Sequence, residues 1–109
     1  MTSIEERGDD VLVVRVAEKR IDARSAPIFK AGVVPRIVER PRKVVLDLTL
    51  VEFMDSVGLG TVVSLLKLRK GGTLGVVGAN GAVRRLFALT RMDRVFRMYD
   101  SLDDAMAAV

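Results

Sequence analysis

The place in this chain where residue types and spacing could do chemistry is Asp55-Ser56, with Gly58 and Gly60 two and four residues beyond the serine. It follows the apolar run Val44-Val45-Leu46-Asp47-Leu48 and a short link, and it opens an apolar-patterned stretch that reaches Lys70. That order reads as a buried strand, a polar turn and the start of a helix. The first backbone N–H groups of a helix lack intrahelical partners, and Asp or Ser side chains are suited to supply them. Two glycines in the first turn each lower helix propensity by about 1 kcal/mol relative to alanine. A backbone or a partner surface is therefore expected to come close there. The hydroxyl of Ser56 is a candidate for phosphorylation, because a phosphate at a helix N-terminus meets free N–H groups and the positive end of the dipole. Asp55 beside it adds repulsion. An added charge of about −1.5 to −2 would chiefly alter the surface. A partner packed over Gly58 and Gly60 would lose contacts and face a dianion, so it would leave while the fold stayed intact. The plain alternative is that Ser56 serves as an N-cap, worth about 1 kcal/mol; the two roles are compatible.

Other constellations fit plainer readings. Ser64-Leu65-Leu66-Lys67 has the Ser-x-x-Lys spacing of some acyl-transfer enzymes but none of their companion motifs, which leaves polar positions on a helix. Gly58-Leu59-Gly60 lacks the third glycine of a dinucleotide loop, since Val63 stands in its place. Gly78-Ala79-Asn80-Gly81 could hold an anion, and reads better as a strand-to-helix turn with positive φ at a glycine or asparagine. Asp47, Glu52 and Asp55 could crowd one end of a sheet and bind a divalent metal or share a proton; alternatively Asp47 accepts N–H bonds in the turn that follows it. The chain contains no histidine and no cysteine. That excludes imidazole acid–base chemistry, the commonest metal ligand, thiolate metal sites and disulfides, and it argues against an ordinary hydrolase.

The elements that must position Ser56 can be read in order. Residues 3–7 suggest an edge strand, and Val11–Val16 a strand joined to it by a hairpin at Gly8-Asp9-Asp10. Ala17 to Asp22 reads as a polar connection. Asp22 or Ser25 would cap a helix starting near Ala23, with Pro27 tolerated in its first turn. Gly32 and Pro35 interrupt the spacing of Ile28, Phe29, Val33, Ile37 and Val38, which predicts a kinked or broken helix ended by Pro41. Lys43–Leu48 is a buried strand. Ser56–Lys70 is a helix with its stripe at Leu59, Val62, Val63, Leu65, Leu66 and Leu68, stopped by Gly71-Gly72. Thr73–Val77 is a second central strand, Ala82–Leu89 a short helix facing inward through Val83, Leu86 and Phe87, and Val95–Tyr99 a last strand. Asp100 or Ser101 would cap a C-terminal helix through Val109, with Leu102, Ala105, Met106 and Val109 on one side. Met54 and Met98 are expected in the core. The order ββαβαβαβα implies an α/β fold with a mostly parallel sheet of about five strands, packed with about four helices on one or both faces.

The bulk properties are consistent with this. The 109 residues suffice for one core and not two. Half are hydrophobic and 29% charged, and no apolar run approaches the roughly 18 residues of a membrane span. The acidic start Met1-Thr2-Ser3-Ile4-Glu5-Glu6 is unlike a secretory signal, so a cytoplasmic location is expected. Net charge is +4, with a cluster at Arg84, Arg85, Arg91, Arg94 and Arg97. Aromatics are sparse and do not interleave with these arginines as a base-stacking platform would require. The cluster therefore reads as a solvated face or a protein-docking patch, not as a direct nucleic-acid surface.

Taken together, Asp47-Leu48, Phe53-Met54-Asp55-Ser56-Val57-Gly58-Leu59-Gly60, Gly71-Gly72-Thr73-Leu74, Val83-Arg84-Arg85-Leu86-Phe87 and Phe96 to Asp103 resemble the STAS domain family. Within it the chain looks most like the anti-sigma-factor antagonists, from about Val11 onward, and Asp-Ser-x-Gly-Leu-Gly is the most specific element. The resemblance implies a single STAS domain over residues 1–109 and a phosphorylation site at Ser56. It also implies a partner-binding surface of Asp22, Asp55, Ser56, Val57, Gly58, Leu59 and Gly60, with Asp22 as the family's aspartate near the first helix. The implied partners are an anti-sigma factor with serine-kinase activity and a metal-dependent serine phosphatase. No cofactor, metal site or catalytic residue of the chain's own is implied. Where the family commonly has Gly-x-Leu-Asp, this chain has Lys19-Arg20-Ile21-Asp22, and Val57 takes the place of a small polar residue. Regulation of a signalling, secretion or lipid-transport assembly is the alternative within the same fold, and a small carboxylate-based enzyme the alternative outside it.

Overall fold

β-Branched and leucine-rich runs become strands wherever both of their faces are covered, and this governs the architecture of the computed structural model, which describes residues 2–7, 11–39, 43–69 and 73–108. The elements are β1 (Thr2–Arg7), β2 (Val11–Val16), β3 (Arg20–Ile21), α1 (Ala26–Ile37), β4 (Lys43–Asp47), β5 (Phe53–Met54), α2 (Ser56–Lys67), β6 (Leu74–Val77), α3 (Gly81–Leu89), β7 (Arg97–Tyr99) and α4 (Leu102–Ala107). A 3-10 turn, Met92–Arg94, precedes β7. The main sheet has five strands in the order β1-β2-β4-β6-β7. β1 lies antiparallel to β2 at the edge, in register from Thr2 opposite Val16 to Arg7 opposite Val11, and every other pairing is parallel. The mixed, mostly parallel α/β sheet with four helices is the one the sequence predicts. The turn at Gly8-Asp9-Asp10, the stops at Pro41 and Gly71-Gly72, and the ends at Lys70 and Val109 fall outside the described residues.

Alternation along the central strands divides the core between the two faces of the sheet. Leu12, Val14 and Val16 of β2, Val44 and Leu46 of β4, and Leu74 and Val76 of β6 face α1, α2 and α3. Phe29, Val33 and Ile37 meet them from α1, Leu59, Val62 and Leu65 from α2, and Val83 and Phe87 from α3. Phe87 packs edge-on against Phe96 at 5.5 Å between ring centroids. Met54 is buried, and Met98 packs against this core half-buried. Val11, Val13, Val45 and Val77 face the opposite way, where α4 covers them with Ala105, Leu102 and Met106. Helices therefore occupy both faces, three against one.

Three expectations are corrected. The connection read as polar between Ala17 and Asp22 contains β3, and the link before Asp55 contains β5; the two pair in parallel as a separate two-stranded sheet, Arg20 opposite Phe53 and Ile21 opposite Met54. Each strand puts one side chain outward and one inward: Arg20 and Phe53 are exposed, and Ile21 and Met54 are buried. The first helix starts at Ala26 rather than near Ala23, because residues 22–25 form a turn with the Asp22 carbonyl accepting from the Ala26 N–H at 2.8 Å. That helix is also unbroken through Pro35. Proline forfeits one ladder bond there, and the bond that closes the helix (Val38 N–H to the Val34 carbonyl) still forms at 3.0 Å. Nothing lies within 4 Å of where a Cβ on Gly32 would stand.

Candidate functional site

The connections that leave the C-terminal ends of the parallel strands meet at one end of the sheet, and Ser56 sits among them. Asp55 is extended, and its Oδ1 accepts from the Gly58 N–H at 2.8 Å, while its backbone carbonyl accepts from Leu59 at 2.9 Å. Asp55 is thus the N-cap of α2, and Ser56 is the first helical residue. The cap role weighed for Ser56 belongs to its neighbour, because only a side chain on the extended residue ahead of the helix can reach back to the third N–H. Ser56 is exposed, as are Val57 and Gly60; Gly58 and Leu59 are buried.

The second oxygen of Asp55 accepts from the Ala23 N–H at 3.3 Å, and the Asp55 N–H donates to the Ile21 carbonyl at 3.4 Å. One aspartate thus fixes both the start of α2 and the loop that carries Asp22. Gly58 reinforces this junction, since a Cβ there would overlap the Ile21 carbonyl oxygen. Its glycine is required by the chain's own backbone. Gly60 is different: nothing lies within 4 Å of where its Cβ would stand, so it leaves the helix surface bare.

Asp22 is held in its own turn. Its Oδ1 accepts from the Arg24 and Ser25 N–H groups at 3.1 Å each, and its Oδ2 accepts from Arg20 Nε at 3.1 Å. The Ser25 N–H, then the Arg20 guanidinium, hold the Asp22 carboxyl below its ordinary 3.8. Ser25 makes no side-chain cap; its hydroxyl donates to the Arg20 carbonyl at 2.8 Å. The sequence expectation placed Asp22 at the same end as Ser56, and the Ala23–Asp55 bond brings the two loops together.

Two residues absent from the sequence-based site belong to this surface. The Arg20 guanidinium lies 4.3 Å from the Phe53 ring centroid, so a cation and an aromatic stand exposed beside Asp22 and Asp55. The available signal was the outward half of the two short strands, an arginine and a phenylalanine each followed by a buried apolar residue. Exposed Leu50 and Val57 extend the apolar character of this end. Lys19, Arg20, Asp22, Arg24 and Ile28 line an open depression alongside.

The remaining candidates are accounted for locally. Asp47 accepts from the Thr49 N–H at 2.9 Å and from its hydroxyl, and Arg15 lies 3.8 Å away, so Asp47 serves its own turn. Among the described residues no three acidic side chains converge as a metal site would need. Ser64 donates to the Thr61 carbonyl at 2.6 Å within its own helix. Gly78 has the positive φ, 71°, and Asn80 caps α3 by accepting from the Val83 N–H at 2.9 Å. The Asn80 amide also donates to the Glu52 carbonyl at 3.2 Å, tying this turn to the link before Ser56. No helix among the described residues is long and apolar enough to cross a membrane.

Comparison with known proteins agrees with this geometry. The sequence pattern of the STAS domain family matches residues 3–105. The crystal structure of an anti-sigma factor antagonist from Mycobacterium paratuberculosis superimposes with a TM-score of 0.90 at 37% identity, covering 100% of this chain and 92% of that one. The anti-sigma-F factor antagonist RsfB of Mycobacterium tuberculosis is 31% identical over 90 residues, 82% of this chain and 74% of that protein. The Bacillus cell fate determinant SpoIIAA in its phosphorylated form superimposes with a TM-score of 0.73, covering 97% of this chain and 96% of that one; at 16% identity it shares the fold alone.

Proposed function

The chain belongs to the STAS domain family, and on that premise we propose that it is an anti-sigma-factor antagonist whose hold on its partner is set by phosphorylation of Ser56. Unphosphorylated, it binds an anti-sigma factor that is also a serine kinase, and so frees a sigma factor in the cytoplasm. The kinase transfers the γ-phosphoryl group of ATP to the Ser56 oxygen, ADP leaves, and the hydroxyl proton passes to the kinase. A metal-dependent serine phosphatase hydrolyses the ester and restores the binding state. ATP and metal belong to those enzymes; this chain contributes a surface. The names of the relatives support antagonism of an anti-sigma factor, and the switch rests on the site geometry.

The observation that carries the reading is that Ser56 is exposed at the first turn of α2 while Asp55 makes the fold-bearing bonds. A phosphate on Ser56 leaves those bonds in place and sits at the positive end of the helix. The dianion then stands beside Val57, Gly60, Asp22 and Asp55, where a docked partner must desolvate it among two carboxylates. Release without unfolding follows. Buried Gly58 and Leu59 hold this surface from beneath.

The test is incubation with a candidate anti-sigma-factor kinase and ATP, read by intact mass, beside pull-down with the same kinase. One phosphate gained by the wild type and none by Ser56→Ala, with the phosphorylated form no longer retained, is the expected result. Absence of phosphate on Ser56, or equal retention of both forms, would sink the switch.

A further inference from the structure

Arg85, Arg91 and Arg94 accompany two exposed apolar side chains, Leu89 and Val95, along α3 and the turn that follows it, toward the end of the sheet away from Ser56. α3 leaves the C-terminal end of β6 and runs back along the sheet, so Leu89 and the 3-10 turn Met92–Arg94 lie where β7 begins. Arg97 pairs in register with Gly75, near the start of β6, whereas the Ser56 loops stand beyond its end. Leu89 is 73% exposed and Val95 48%. Arg85 precedes Leu89 by one turn on the same exposed helix face, and Arg91, Arg94 and Arg97 are exposed. Five arginines and Asp93 give this stretch a net +4, equal to the charge of the whole chain. Arg84 pairs with Asp100 at 2.9 Å. Among the described residues the other four guanidiniums have no carboxylate partner, although Asp93 lies between them in sequence.

The backbone supplies a second observation. Arg91, just past the end of α3, has φ 61° and ψ 18°, and is the one described non-glycine residue with positive φ. Glycine is favoured at such helix ends, and a residue with a Cβ is strained there. Arg91 is exposed in that conformation, and strain of this kind gathers where a surface has a task.

We infer that Arg85, Leu89, Arg91, Arg94 and Val95 dock an acidic, leucine-bearing helical segment of a protein partner. Three unpaired like charges on α3 and the turn after it repel one another in the free protein, and the two apolar side chains face water. A helix with carboxylates spaced four apart around apolar positions relieves both at once. All five cations of the stretch are arginine, whose planar fork matches carboxylates bidentately. An anionic lipid surface would accept lysine equally and would be repelled by Asp93, whereas a protein partner uses Asp93 to fix register. Because this surface lies toward the end of the sheet away from Ser56, its occupant stays bound whether or not the serine carries phosphate.

The test uses the full chain and a fluorescently labelled amphipathic peptide built from Glu and Leu at helical spacing. Its Gln-for-Glu counterpart is the control, and phosphatidylglycerol vesicles run in parallel. The Glu peptide binds, the Gln peptide binds at least about tenfold more weakly, and rising salt weakens the former. The double variant Arg91→Glu/Arg94→Glu loses at least about tenfold in affinity with an unchanged thermal melt, and Leu89→Ser loses several-fold. Ser56→Asp leaves binding unchanged, so this result stands apart from the fate of the switch. No binding of the Glu peptide, equal binding of both peptides, wild-type affinity in the double variant, or preference for the vesicles would overturn the inference.

Discussion

Adjacent residues at the head of α2 divide the labour between modification and stability. Asp55 caps the helix and ties it to Ala23, and its removal orphans the Gly58 N–H. Asp55→Ala is therefore expected to lower unfolding free energy by about 1–2 kcal/mol in urea titration. Ser56→Ala, one residue on, should change it by less than about 0.5 kcal/mol, because the exposed hydroxyl carries none of these bonds. Asp22 gives the pH dependence its sign. Its carboxyl is held below 3.8 when folded, chiefly by the Ser25 N–H and then by Arg20, so the unfolded chain binds more protons near that pH. Its contribution to stability is complete above the unfolded value and disappears as pH falls through the lower folded one. A carboxyl-carbon NMR titration should place the Asp22 midpoint below that of a model aspartate, and Asp22→Asn should remove that part of the acid sensitivity.

At the scale of elements, the two first-turn glycines of α2 look alike in sequence and behave oppositely in the fold. Gly58→Ala must displace the Ile21 backbone and with it the β3–β5 pair, so a loss of about 2 kcal/mol or more is expected. Gly60→Ala meets nothing and should gain about 0.5–1 kcal/mol in helix propensity while weakening partner retention in the pull-down. Sequence alone placed both glycines against a close surface, and could not tell the chain's own carbonyl from a visitor's. It was legible that Val11–Val16, Lys43–Leu48 and Thr73–Val77 are strands, because long apolar runs bounded by turns leave few alternatives. β3 and β5 were not legible: two residues carry no period, and their pairing depends on Asp55 drawing the loops together. For the same reason Arg20 and Phe53 escaped the sequence-based site. Of the kink or break expected at Gly32 and Pro35, the break does not occur, because one lost bond near a helix end is tolerated when Val33 and Ile37 stay buried on either side.

At the scale of the molecule, the coverage of the sheet is lopsided. Three helices close one face, and the other rests on α4, a six-residue helix with one buried side chain, Ala105. Ser101 caps its start by accepting from Asp104 at 3.1 Å, and the Lys43 ammonium donates to the Ala105 and Ala108 carbonyls at its end. Lys43→Met removes the latter bonds. Amide exchange in α4 should then quicken by about tenfold or more while α1 and α2 are unaffected, since charged hydrogen bonds are worth about 1.5–3 kcal/mol.

That thin covering has a practical consequence for handling the protein. Val11, Val13, Val45 and Val77 form a strip of β-branched side chains that only α4 and, at one side, Tyr99 pack against among the described residues, and each excursion of α4 bares much of it to other molecules in solution. Concentrated samples warmed below the melting temperature should turn cloudy by this route, sooner for the Lys43 variant, with the three-helix side of the sheet still native.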